Sequence, residues 1–262
     1  MQRDSQIRTT VGGNPDLQAE ESDFLGLGLV WTPDFLPDLS FTADYFDIDI
    51  DNAISNQDPQ FTLDSCFSGS AGLTNEACSK IERMGVGGEI TRLAAGLGNI
   101  GKVETNGIDL ELRYNGPRLP LLGEVQFRGV GTYLFDFVQT LPGGKRKLNG
   151  TVTPTDNGIP NFKAVIDTSF APRDDLLLST NARYIGRGDT DDESGPLDDV
   201  PGVWYLDVSL RYDLSERWAF TLGVQNATNK RPPRLVDMAN SNPNTYDYVG
   251  RFGFARFKAN FY

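Results

Sequence analysis

Histidine is absent from the 262 residues. That one absence removes the Ser-His-Asp triad, the Cys-His pair and every His-ligated metal site. A carboxylate- or Ser-based hydrolase stays open, but no pair of carboxylates with glycosidase spacing can be located along the chain. The most acidic run, GRGDTDDESGPLDD (186–199), sets Asp189, Asp191 and Glu193 at the alternate spacing of a calcium loop. Position six of such a loop is here Ser194 rather than Gly, and no Glu stands at position twelve. A solvated loop is the plainer reading. Within it, Arg187-Gly188-Asp189 matches an adhesion tripeptide that is short enough to arise by chance. The Gly-rich GVGG (85–88) and GLGNIG (96–101) do not follow a strand and open a helix, so they are not read as phosphate or dinucleotide loops. No catalytic residue, cofactor or metal site is expected.

The elements that would carry any other chemistry must be read from composition and pattern. Lys and Arg number 24 against 36 Asp and Glu, a net charge of −12. That balance argues against nucleic acid, because phosphate binding needs cations to replace counterions. With 39% hydrophobic and 11% aromatic residues the chain is too apolar for disorder. The 28 Gly show no Gly-X-Y period, which excludes collagen. Residues 1–20 hold no apolar core of a signal peptide, and no run reaches the length of a transmembrane helix. Hydropathy is blind, however, to a β-barrel whose strands alternate lipid-facing and lumen-facing residues.

Alternation dominates the chain. Residues 124–138 place Val125, Phe127, Gly129, Gly131, Tyr133, Phe135 and Phe137 on one side, with Glu124, Gln126, Arg128, Thr132 and Asp136 on the other. In 104–114, Ile108, Leu110, Leu112 and Tyr114 oppose Asp109, Glu111 and Arg113. In 205–212, Leu206, Val208, Leu210 and Tyr212 oppose Asp207, Ser209 and Arg211. Segments 160–170 and 218–226 repeat the pattern. Nine long strands are expected near 20–31, 38–51, 103–114, 124–138, 160–170, 175–185, 203–212, 217–227 and 247–261.

The links between them alternate short and long, the long ones being roughly 52–102, 139–159, 186–202 and 228–246. Outer-membrane barrels have that asymmetry, with short periplasmic turns and long exterior loops. Trp31, Tyr114, Tyr212 and Trp218 fall at the short-turn ends, where an interfacial belt belongs. The fold class expected is all-β, an antiparallel meander of nine to ten long strands forming part of a transmembrane barrel. A soluble sandwich would alternate too, but with its polar face in water. An odd strand count cannot close an all-antiparallel ring, and an open edge in lipid is costly, so the barrel is expected to be incomplete. Cys66 and Cys78 both lie in the 52–102 loop, which would face the oxidising exterior. A disulfide is the reading there, with metal binding the alternative.

Four stretches carry a resemblance. GNPDLQAEESDFLGLGLVWTPDFLPDLSFTADYFDIDIDNAIS (13–55) has a GNP-D-L opening and a W-x-P-x-x-L-P-x-L-S turn. NIGKVETNGIDLELRY (99–114) carries N-x-G-x-x-x-x-x-G-[IF]-[DE], and RWAFTLGVQNATNKRPP (217–233) ends in a G-x-x-N…K-x-P run. GRFGFARFKANFY (250–262) alternates to a C-terminal aromatic. In this order they resemble the C-terminal barrel half of TonB-dependent outer-membrane receptors.

The resemblance implies residues 1–262 to be the C-terminal portion of a larger barrel, without the plug domain. The intact receptor would sit in the outer membrane of a Gram-negative cell and import a scarce nutrient: a siderophore, cobalamin or an oligosaccharide. Its implied partners are the TonB complex through the plug, a nutrient at the exterior loops, outer-membrane lipid and the barrel-assembly machinery. Asp109, Glu111, Arg113, Asp207 and Arg211 would face the lumen, to contact solute or the plug, or to line water. The alternative is a soluble or surface-exposed β-sheet module that binds carbohydrate.

Overall fold

The computed structural model describes residues 7–56, 59–68, 76–85, 88–141, 144–152, 159–190, 199–235 and 241–261. In chain order the first elements are β1 (Thr9–Thr10), β2 (Glu21–Trp31), β3 (Leu39–Asn56), α1 (Pro59–Ser68) and α2 (Glu76–Ser79). Then come β4 (Ile81–Arg83), β5 (Ile90–Ala94), β6 (Leu97–Leu119), β7 (Gly123–Leu141) and β8 (Gly144–Lys147). The rest are β9 (Phe162–Arg173), β10 (Leu176–Ile185), β11 (Gly188–Asp189), β12 (Asp199–Val200), β13 (Val203–Asp213), β14 (Trp218–Gln225) and β15 (Phe252–Ala259).

One ten-stranded sheet takes the long strands in the order β15-β14-β13-β10-β9-β7-β6-β3-β2, with β8 paired to β7. The path is open, with β2 and β15 at its two ends. Its pairs from β7 through β15 are antiparallel. All nine expected long strands are present, so this is the meander of an unclosed barrel wall. Short turns are made locally: Leu36 N–H donates to Pro33 O at 3.0 Å, and Trp218 N–H to Ser215 O at 3.2 Å.

The chain divides into two compact units. One comprises Met1–Phe24, Ile48–Glu104 and Val138–Lys147. Here the structure corrects the expectation of one long connection over 52–102. Strand β3 runs on to Asn56 and β6 begins at Leu97, with two helices and two short strands between. A small sheet orders β1-β5-β4, β1 being parallel to β5 and β4 antiparallel. The extensions, 52–56 and 97–102, lack apolar alternation, and Lys102 of the second reaches carboxylates of the neighbouring periodic stretches. Lys102 Nζ lies 3.5 Å from Asp49, 3.9 Å from Asp51 and 3.6 Å from Glu104. Periodicity therefore ends before the strands do.

The other unit comprises Leu25–Asp47, Thr105–Phe137 and Leu148–Tyr262. Its register sorts side chains by face, since directly paired residues share one. Val208 pairs with Thr180 and Val224, and Leu210 with Leu178 and Leu222, on an apolar face. Large hydrophobics on it stand open: Leu27 is 74% exposed, Leu29 61%, Leu222 48% and Phe257 61%. Aromatic rings border this face at both strand ends. Towards the long connections, Tyr133, Phe162, Tyr184 and Trp204 form a line with successive centroids 6.5, 5.9 and 4.8 Å apart. Towards the short turns, Trp218 stacks on Phe257 at 5.1 Å and Trp31 meets Phe35 at 6.3 Å.

The buried core of this unit is built mainly by its long connections. Val152, Val200, Leu235 and Tyr246 pack with Val203 and Tyr205 from the start of β13. Asn242, fully buried, fixes the last of these connections, because its Oδ1 accepts the N–H groups of Asn244 (2.9 Å) and Thr245 (3.2 Å). Such side-chain closure of a turn is what Asn does best.

Candidate functional site

The face opposite the apolar one is polar, and register brings its charges into a row. Arg128 of β7 pairs with Asp167 of β9, Asp167 with Asn181 of β10, and Asn181 with Asp207 of β13. Asn181 Nδ2 donates to Asp167 Oδ1 at 2.7 Å. Glu111 joins from β6: one of its oxygens accepts both Arg128 Nε and Arg113 Nε, each at 2.6 Å. Asp207 accepts the Asn226 backbone N–H at 2.8 Å and a longer bond from Arg183 Nη2 at 3.4 Å. A second row of small neutral groups runs alongside, with Gln126 paired to Ser169, Ser169 to Ser179 and Ser179 to Ser209.

Together the rows line a concavity of about 600 Å³ that includes Arg113, Arg128, Asp167 and Asp207. A further concavity of about 830 Å³ shares Asn181, Asp207 and Gln225 with it. There the strand wall meets the docked connection that carries Asn244 and Tyr246. The Arg183 guanidinium carbon lies 5.5 Å from the centroid of the Tyr205 ring. The Tyr205 hydroxyl accepts the Asp247 N–H at 3.3 Å, tying the connection to β13. Burial, with Tyr205 adding to it, pushes the Tyr246 hydroxyl up to about 12. Tyr246 Oη and Arg183 Nε are buried without a hydrogen-bond partner among the described residues.

The five charges singled out from sequence separate on this face. Arg113 and Asp207 line the first concavity, and Glu111 is bonded to it through Arg113 and Arg128. Asp109 instead accepts the Thr132 hydroxyl. Arg211 bonds Asp213 along its own strand at 2.8 Å and belongs to a cluster at the short-turn end with Asp174, Glu216 and Lys258. Sequence reading missed Arg128 as a partner of Glu111, held Asn226 only as the Asn of the G-x-x-N run, and missed Asp167, Asn181, Arg183 and Tyr246 altogether. Alternation signalled the face for Arg128 and Asp167, but nothing local announced who would stand opposite.

Cys66 and Cys78 form a disulfide with Cα atoms 4.8 Å apart, linking α1 to α2. The metal alternative for this pair is thereby set aside. Asp191, Glu193 and Ser194 of the calcium-like spacing lie outside the described residues. In the adhesion-like tripeptide, Gly188 and Asp189 are paired with Val200 and Asp199, and Arg187 Nη2 lies 3.4 Å from Asp199. The GLGNIG stretch is mostly strand β6, while residues 86–87 of GVGG lie outside the description. Among the described residues no helix is long and apolar enough to cross a membrane, which says nothing of strands.

Residues 2–227 match the family described as TonB dependent receptor-like, beta-barrel. Among solved structures, a variant of the ferric enterobactin receptor PfeA from Pseudomonas aeruginosa superposes with a TM-score of 0.62 at 19% identity, covering 96% of this chain and 32% of that one. The siderophore receptor PirA from Acinetobacter baumannii gives 0.61 at 17%, covering 96% and 33%. The copper transporter OprC gives 0.55 at 14%, covering 94% and 32%. The chain thus spans about a third of the length of each of these receptors, and the likeness is one of fold. No curated protein sequence matches it.

Proposed function

This chain belongs to the TonB-dependent receptor β-barrel family, and from that membership we propose that it forms the C-terminal part of the wall of an outer-membrane receptor. The intact receptor takes up a scarce nutrient (a siderophore, cobalamin or an oligosaccharide) with energy delivered by the TonB complex through a plug domain. Proteins of this family are transport receptors rather than enzymes. In this reading the apolar face meets outer-membrane lipid and the polar face meets plug, water and solute.

The observation that carries the reading is the division of the sheet into faces. Trp204 and Tyr212 mark the two aromatic borders on β13, separated by about 27 Å along the strand at the usual rise per residue. A strand tilted by about 40° would climb about 21 Å over that length, close to the apolar band of a membrane barrel. A soluble module would hide such a surface, because contiguous apolar patches of this extent are not left in water. Arg113, Asp207 and Glu111 serve as wall contacts for plug or solute, Asp109 lines water, and Arg211 braces the periplasmic rim. The barrel-assembly machinery inserts the wall, and nutrient enters at the exterior loops.

The test uses the full-length protein in its own cells. It should fractionate with the outer membrane and require detergent for release. Deleting its gene, or collapsing the inner-membrane proton gradient, should abolish growth on one limiting nutrient. Recovery of the protein from the soluble fraction would instead favour the carbohydrate-binding module.

A further inference from the structure

We infer that Arg118, Arg173, Asp174 and Asp175, at the short-turn border of the apolar face, form a docking site for the headgroup of a zwitterionic phospholipid, one with a phosphate and a primary ammonium group. The inference rests on the receptor reading above, which makes this border periplasmic and the lipid one of the inner leaflet. Position, charge order and hydrogen-bonding capacity carry it.

Register sets the position. Arg173, the last residue of β9, pairs with Leu176, Leu176 with Tyr212, Tyr212 with Phe220 and Phe220 with Phe257. Arg173 therefore shares the apolar face and stands level with its aromatic border. Its guanidinium carbon lies 5.9 Å from the Tyr212 ring centroid. Away from the turns, the next row on this face is Phe170, Leu178, Leu210 and Leu222, a bed for acyl chains. Arg118 follows Tyr114 at alternate spacing on β6, on the side that carries Leu110 and Leu112.

The order of charges matches that of a lipid. The two arginines lie at strand ends, whereas Asp174 and Asp175 form the turn beyond β9. Cations are thus nearer the apolar face and carboxylates farther out. A phospholipid of this class carries its phosphate next to the glycerol and its ammonium beyond, which is the complementary sequence. The four groups sum to zero charge, so they hold no surplus for an anionic lipid. Arg211, Asp213 and Lys258, which line a concavity with the same two carboxylates, stand on the polar face by register. Glu216 and Arg217 belong to the turn between β13 and β14.

The groups also keep bonds to give. Arg118 Nη2 donates to Asp174 Oδ1 at 3.1 Å, and Arg173 donates through Nε and Nη2 to the two oxygens of Asp175, each at 2.9 Å. A guanidinium has more N–H groups than these bonds use, so phosphate oxygens can be taken up beside the carboxylates. The Asp174 side chain is 94% exposed, and ion pairs so open are weak enough to admit another partner. A primary ammonium donates hydrogen bonds to such carboxylates, and a quaternary one cannot.

The experiment is native mass spectrometry of the full-length receptor in detergent. It is offered phosphatidylethanolamine, phosphatidylcholine and phosphatidylglycerol with the same acyl chains. Phosphatidylethanolamine should occupy the receptor about three- to fivefold more than either of the others. The preference should fall to parity in Arg118→Gln/Arg173→Gln and in Asp174→Asn/Asp175→Asn, with heat-modifiable gel mobility staying native. Equal occupancy by phosphatidylcholine overturns the inference, because the carboxylates would then not read the ammonium. Preference for phosphatidylglycerol overturns it too, since the rim would be a plain cationic patch. So does a phosphatidylethanolamine preference that both double variants retain. The comparison of lipids on the unaltered receptor decides the first two outcomes without any variant. Each of these failures leaves the protein in the outer membrane, whereas failure of the receptor reading would not.

Discussion

Asp207 accepts the backbone N–H of Asn226 at 2.8 Å, joining the middle of β13 to the residue that follows β14. Asn226 is fully buried and sits at φ 46°, a left-handed conformation that Asn tolerates better than other side-chain-bearing residues. Its own amide closes the following turn: Nδ2 donates to Lys230 O at 2.9 Å, and Oδ1 accepts Lys230 N–H at 2.8 Å. The Asn of the G-x-x-N motif is thus a turn-former whose partners are fixed on three sides.

Asn226→Ala would lose both side-chain bonds and keep the unfavourable φ, for a cost of about 2–4 kcal/mol. Asn226→Gly relieves the backbone term but not the lost bonds, so it should fall between wild type and Ala. Urea midpoints of the folded receptor in detergent measure the order. Equal losses for Ala and Gly would show that the backbone conformation carries no weight.

This turn illustrates how far the sequence could be read. The nine strands were legible because each one alternates within itself, Val125 to Phe137 or Leu206 to Tyr212. The short turns were legible from Pro, Asp and Gly. Pairing between strands was not, because no local feature of Arg128 names Asp167 across the sheet. The aromatic line at the long-connection end escaped for the same reason. Tyr133, Phe162, Tyr184 and Trp204 look like ordinary apolar members of four strands until register sets them at one height. The core of Val152, Val200, Leu235 and Tyr246 gathers from three connections that have no periodicity at all.

Gly123 opens β7 at φ +68°, and a Cβ there would fall 1.6 Å from the Ala171 carbonyl oxygen and 2.3 Å from its carbon. Those are backbone atoms of β9 and cannot turn aside. Gly123→Ala should therefore cost more than about 2 kcal/mol, combining strain with displacement of the β7–β9 pair. Gly107 of the N-x-G…G-[IF]-[DE] motif is tight for a related reason, since its Cβ would meet Tyr133 O at 2.6 Å and Phe46 Cζ at 2.8 Å. The Phe46 ring can yield but the Tyr133 carbonyl cannot, so Gly107→Ala should still be destabilising, yet less than Gly123→Ala, whose Cβ meets three backbone atoms, two of them at shorter range, and at positive φ. Comparing the two variants in one unfolding series checks the distinction.

The disulfide should act locally. Cys66 and Cys78 close a short loop between α1 and α2, worth about 3 kcal/mol in the chain-entropy view. Replacing both by Ser should speed hydrogen exchange in 59–83 and leave exchange in β9 to β14 unchanged. Equal acceleration in the sheet would mean that the insert is coupled to the wall.

Alkaline pH should loosen the docked connections first. The Tyr246 hydroxyl, raised by burial to about 12, holds its proton more tightly folded than unfolded. Its contribution is therefore complete below the ordinary tyrosine value near 10, and it is lost as pH climbs through 12. Proteolysis within 228–250 should rise across that window, and Tyr246→Phe should remove the Tyr246 share of the rise. A rise of the same size in the Phe variant would assign the loosening to other groups.

The division of faces has the sharpest consequence, because neighbouring residues of one strand should respond oppositely. Val208 lies midway between Trp204 and Tyr212 on the apolar face, cross-strand from Thr180 and Val224. Ser209, one residue on, points to the polar face and lines the first concavity. In a lipid-facing position Val208→Arg should cost about 2–4 kcal/mol, as charges do near a bilayer midplane. It should also reduce the amount of receptor assembled in the outer membrane. Ser209→Arg adds the same charge where water and polar partners can receive it, so assembly should stay near normal. Immunoblots of outer-membrane fractions, with heat-modifiable mobility as the measure of folding, compare the pair directly. Were both tolerated, or both lost alike, the apolar face would not be in lipid. The open hydrophobic surface from Leu27 to Phe257 would then need another partner to cover it.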